Sequence, residues 1–102
     1  MNKTLLDNYD KMVVKDKVAV IHCAFGDTPH TVAMVSVDKG LSDIDKCEKA
    51  FMLTNSIEDG WWNNKDVTPM FPNDGCRSTS VGDQVLVGNT KYVCDSFGWS
   101  KV

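Results

Sequence analysis

The stretch VAVIHCAFGDTPHTVAMVSV, Val18 to Val37, decides the fold. Its first part, VAVIHCAF (18–25), is rich in β-branched residues and apolar on both faces, as a central strand requires. GDTPH (26–30) has turn chemistry, Gly-Asp followed by a proline with fixed φ. TVAMVSV (31–37) is strand-like again. The two runs predict an antiparallel hairpin with a loop of about four to five residues.

Downstream, Asp38-Lys39-Gly40 closes the second strand, and LSDIDKCEKAFMLTNSIEDG (41–60) switches to helical spacing. Ser42 is a good N-cap, and Asp43 and Asp45 sit in the first turn, where the helix dipole favours acids. Ile44, Cys47, Phe51 and Thr54 share one face, widened by Ala50 and Ile57, with Asp45, Lys46, Glu48 and Lys49 mainly on the other sides. The helix is expected to end near Ser56 to Glu58, before Gly60. DVTPMFPNDGC (66–76) holds two prolines and a glycine and predicts a loop with one extended piece around Val67. QVLV (84–87) and KYVC (91–94), separated by the turn signal Gly88-Asn89, predict a second hairpin. Its last strand carries on toward Phe97 and Trp99, read as core. Upstream, Leu5, Leu6, Tyr9, Met12 and Val13 have the spacing of a short N-terminal helix over 4–13. The expected fold is a single domain over 1–102 of the α+β class. Two layers are predicted: an antiparallel sheet of about four strands, in two hairpins, covered by one main helix.

Composition bounds function. At 102 residues, 42% hydrophobic and 25% charged, the chain reads as one folded domain with a single core. A net charge of -3 argues against nucleic acid, which attracts a basic face. The acidic excess lies in residues 38–66, with four lysines against seven carboxylates. The longest apolar run, Val18 to Phe25, is too short to span a membrane, and MNKTLLDNYDKM has no signal-peptide core. The expected location is the cytoplasm, where Cys23, Cys47, Cys76 and Cys94 stay reduced. These cysteines are far apart, and a metal site would have to be assembled from scattered residues such as His22, His30, Cys76 and Cys94. No metal or cofactor is expected.

Two motifs stand out. The first is RSTSVGD (77–83), whose structural reading is a strand entrance. Ser78 and Ser80 bond nearby backbone, Val81 starts the buried alternation, Gly82-Asp83 bends the chain, and Arg77 pairs with Asp83 or Asp95. Its functional reading has Arg77, Ser78 and Ser80 presenting donors to an anion such as phosphate. The second motif is Trp61-Trp62. Two adjacent tryptophans cannot easily share one core, so one is a candidate for binding. His22, in an apolar strand, reads as a satisfied core histidine.

The blocks AFMLTNSIEDGWWNNKDVT and CRSTSVGDQVLVGNTKYVCDSFGW resemble a group of small uncharacterised bacteriophage proteins. The last part also resembles the YodL-like domain of bacterial and mobile-element proteins. The matching residues are Arg77, Ser78, Ser80, Val81, Asp83, Tyr92, Cys94, Asp95, Ser96, Gly98 and Trp99, and the chain departs at Thr79 and Gly82. The resemblance implies a setting, a phage or mobile element acting in the cytoplasm of its bacterial host. The leading expectation is a non-catalytic protein that binds a host macromolecule through Trp61, Trp62, Arg77, Ser78, Ser80 and Asp83. The alternative is a small-ligand or nucleotide-binding module, with Arg77, Ser78 and Ser80 on phosphate and a tryptophan stacked on the base. A homodimer through strand edges stays open.

Overall fold

The structure, a computed structural model, describes residues 15–55, 60–71 and 75–102. The helix expected over 4–13, and Ile57, lie outside the described residues. Among the described residues, one antiparallel sheet of six strands carries one α-helix, so the α+β class holds and the expected strand number is too low. The strands are β1 (Lys15–His22), β2 (His30–Asp38), β3 (Val67–Pro69), β4 (Gln84–Val87), β5 (Thr90–Asp95) and β6 (Gly98–Lys101), in spatial order β3-β2-β1-β4-β5-β6. The helix, α1, spans Asp43–Thr54.

The central hairpin forms as its composition requires. Val18 pairs with Val35 and Val20 with Ala33, all fully buried, and a bulge at Val20/Ile21 shifts the register. β1 ends at His22, three residues short of the predicted Phe25. Cys23 leaves the ladder because its N–H, and that of Ala24, are taken by a side chain outside the hairpin, Asp83. A 3-10 turn over Ala24–Gly26 follows.

Ser42 caps α1, its hydroxyl accepting from the N–H of Asp45 at 3.2 Å. The helix stops at Thr54, short of the predicted end. The Thr54 carbonyl, left unpaired by the helix end, accepts instead from the N–H of Thr79 at 2.9 Å. The buried stripe is also turned from the predicted one. Lys46, Cys47, Ala50 and Thr54 are buried, while Ile44 is exposed. Lys46 lays its stem over the core and puts Nζ 3.1 Å from Asp16 of β1, so its charge is met. Phe51 is half-buried and meets Trp99 edge to face at 6.1 Å. Two further bonds strap α1 to the last hairpin: Tyr92 Oη donates to Asp43, and Trp99 Nε1 to Glu48, both at 2.8 Å.

β3 and β6 are the additions. The extended piece expected around Val67 is β3, paired on β2 through Val35↔Val67. Met70 donates its N–H inward to Val32, so by ladder alternation Thr68 also faces β2, while Val67 and Pro69 face outward. The N–H of Val67 goes to Asn64, and Pro69 has none. At the other edge, the Asp95 carboxylate accepts the N–H of Phe97 at 3.1 Å. That Asx turn folds the chain back at Ser96-Phe97, so Phe97 stands out in solvent, not in the core.

Two glycines test these turns. Gly82 has φ +99, and an added Cβ would lie 3.1 Å from the Cβ of Ala24. Gly88, in the β4–β5 turn, has φ +58 and open space around it. Gly82→Ala is expected to cost about 2–3 kcal/mol and Gly88→Ala about 1 kcal/mol. Thermal melts should place the two Tm values in that order, with Gly82→Ala lower by more than about 5 °C.

Candidate functional site

The site is built around one carboxylate. Asp83, fully buried, precedes β4. Its Oδ1 accepts from the N–H groups of Cys23 and Ala24, both at 2.9 Å, and from Arg77 Nη2 at 2.8 Å. Its Oδ2 accepts from Arg77 Nη1 at 2.7 Å and from the N–H of Ser80 at 2.8 Å. Burial pushes this carboxyl up, but Arg77 and the three backbone N–H groups outweigh it and hold Asp83 well below the usual carboxylate range. The pairing is the two-pronged Arg–carboxylate fork, the strong form of a charged hydrogen bond.

Arg77 is a bridge with no spare donor. Nε and Nη2 also reach Asp27 Oδ2, at 3.3 and 3.0 Å, and Nη1 reaches the Ser78 carbonyl at 3.1 Å. All five guanidinium N–H groups are therefore in use. Its Cζ sits 5.0 Å from the centre of the Phe25 ring, a cation–π contact. Phe25 itself is 77% exposed and has φ +59, the left-handed region that costs a side-chain-bearing residue about 1–2 kcal/mol.

A neutral chain runs beside this ion pair. Thr54 Oγ1 donates its single proton to the Ala50 carbonyl at 2.8 Å. Thr79 Oγ1, 2.8 Å from Thr54 Oγ1, must then be the donor between them. That leaves Thr79 as acceptor for His22 Nε2 at 3.0 Å. The network thus assigns the proton of His22 to Nε2 and leaves Nδ1 bare, facing Cys76 Sγ at 3.7 Å. Burial lowers the His22 pKa to about 4, against the pull of Asp83. Burial likewise raises the Cys76 thiol. Both groups stay neutral, so the proton remains on sulfur, and S–H donates to the imidazole.

The residues singled out in the sequence have different fates. Arg77 and Asp83 come together, as one of the two expected pairings. Ser80 gives its N–H to Asp83 and its hydroxyl to the Ser78 carbonyl at 3.3 Å. Asp83 and Trp61 are buried and out of a partner's reach, whereas Arg77, Ser78, Ser80 and Trp62 are half-buried. The two tryptophans meet edge to face at 5.5 Å and both pack on Phe71, a separate cluster. Trp61 Nε1 is buried with no hydrogen-bond partner among the described residues. The four cysteines are free thiols, and no cluster of three or more His, Cys, Asp or Glu among the described residues could hold a metal. No described helix is long and apolar enough to cross a membrane. Sequence reasoning missed Thr79, which ties His22 to α1, and the exposed Phe25 and Phe97. Val81, expected to start the buried alternation, is exposed because the chain turns at Gly82 and burial begins at Asp83. The Asp-Ser-Phe-Gly turn signature at 95–98 was the available signal for Phe97. Comparison with protein-family models, with curated proteins and with solved structures finds no match.

Two stability effects follow. Asp83→Asn leaves Arg77 without its fork and is expected to cost about 3–5 kcal/mol in urea unfolding. For His22, the folded pKa of about 4 lies below the ordinary 6.5, so the unfolded chain takes up the proton first. Its contribution is complete above the unfolded value and is lost as pH falls toward the folded one. Stability is expected to drop by about 2 kcal/mol between pH 7 and pH 5, a drop His22→Gln should remove.

Proposed function

We propose that this chain is a small non-catalytic binding protein, made by a phage or other mobile element to engage a macromolecule of its bacterial host in the cytoplasm. The setting comes from the resemblance of the RSTSVGD and YVCDSFGW motifs. What supports binding is Phe25. A large apolar side chain is exposed, on a backbone conformation it disfavours, over a guanidinium fixed by a buried carboxylate. Folding alone gains little from such an arrangement, since burying the ring would stabilise by about 2–3 kcal/mol and glycine would relieve the strain. Strain held by its surroundings at an exposed aromatic points to recognition. In this reading Arg77 and Asp83 are the support and Phe25 the contact. The anion-binding alternative is less well supported, because Arg77 has all five N–H groups engaged.

Phe25→Gly separates function from stability. Relief of the positive φ and loss of the cation–π contact are each worth about 1 kcal/mol and opposite in sign. The variant should melt within a few degrees of the parent and lose capture of the host component that the parent retains, read by mass spectrometry of co-purified material. Equal capture by both proteins would remove Phe25 from the contact surface.

A further inference from the structure

Resting on that reading, we infer that the partner surface is a basic, apolar segment of a protein, held by Phe25, Val81 and Phe97 with Asp27 and Asp95. Three loops meet at the end of the sheet where β1 and β5 finish and β4 and β6 begin. They are held side by side by direct contacts. Asp83 takes the N–H groups of Cys23 and Ala24. Gly82 lies against Ala24 and donates its N–H to the Cys94 carbonyl at 2.8 Å. Each loop then presents one large apolar side chain next to its anchor: Phe25 after Ala24, Val81 before Gly82, and Phe97 in the turn that follows Cys94. Their exposures are 77%, 54% and 102%.

Charge fixes the kind of partner. These loops and the strand ends beside them hold Asp27, Asp83 and Asp95 against the single guanidinium of Arg77. Arg77 and Asp83 neutralise one another in the interior, which leaves the rim acidic. Asp27, an exposed residue, uses Oδ2 on Arg77, while its Oδ1 takes no hydrogen bond among the described residues. Asp95 is held below its ordinary pKa by the Ser100 hydroxyl and the N–H of Phe97, so it is ionised across the physiological range. No lysine of the described residues lies in these loops. Lys15, Lys17 and Lys101 sit toward the opposite end of their strands. Lys91 lies at the start of β5 but its charge reaches Cys23, so that three carboxylates still outnumber two cations here. The other lysines are on α1 or the loops flanking it. Apolar anchors ringed by carboxylates repel phosphate backbones and anionic lipid heads. They complement a surface in which Lys or Arg flanks apolar side chains.

The test is selection from a random peptide display library on the full chain, with the Phe25→Gly, Phe97→Gly double variant as counter-target. Both proteins are first shown to melt cooperatively. The expected result is enrichment, on the parent alone, of peptides with apolar residues flanked by Lys or Arg. A synthetic version of the best peptide with Lys and Arg changed to Glu should bind at least tenfold more weakly. Asp27→Asn, a change at the exposed rim, should weaken the basic peptide several-fold. Enrichment of acidic or uncharged peptides that still depends on the two phenylalanines would overturn the basic partner and leave the binding reading standing. If no enrichment depends on them, both fall.

Discussion

A carboxylate without access to water organises one end of this molecule. An ionised Asp83 in the interior costs several kcal/mol unless each lone pair is met. Five donors meet them, from three separate places in the chain: the exit of β1, the side chain of Arg77 and the N–H of Ser80. Satisfying that group dictates where the loops run. It draws Cys23 and Ala24 out of the ladder and fixes the side chain of Arg77. It also sets the chain on which Phe25 adopts its disfavoured conformation.

The neutral chain beside it depends on the same pair. His22 Nε2 lies 3.8 Å from Asp83 Oδ2, close enough for the carboxylate to favour a charged ring. The ring stays neutral because Arg77 already balances Asp83 and because the site is dry. Neutral His22 can then donate to Thr79 and accept from Cys76. Thr79 in turn holds the last turn of α1 through both its hydroxyl and its N–H. The helix layer and the sheet layer are thus joined at this end by a polar column, while Val18, Val20, Val35 and Val85 join them by burial alone.

What was readable in the sequence was local. β-branched runs, the Ser42 cap, the Gly88-Asn89 turn and the α+β order depend on neighbours a few residues apart, and they form where expected. What was not readable was competition between distant groups. Strand β1 ends early because a carboxylate about sixty residues away takes its N–H groups. Helix α1 ends early because Thr79 offers a donor, and its face turns because Lys46 finds Asp16. The site shows the same division. RSTSVGD leads into β4 with Arg77 on Asp83, one of the two pairings expected, while Val81 stands out in solvent instead of starting the buried alternation. That the ion pair supports an exposed Phe25 needed the fold, since nothing in AFGD marks a positive φ on the aromatic.

The edges of the sheet are unequal. On the outer side of β3, Val67 has given its N–H to Asn64, and Pro69 has none to give. No strand can be stitched there by ordinary backbone pairing, because the ladder would lack its donors along the whole three-residue edge. β6 is the other rim. A sheet that can be extended at one rim alone cannot polymerise: a second copy joining rim to rim presents only blocked rims outward, and growth stops at two. The proline at position 69 therefore acts as a chain terminator for fibre formation, guarding a valine-rich protein against its own stickiest geometry.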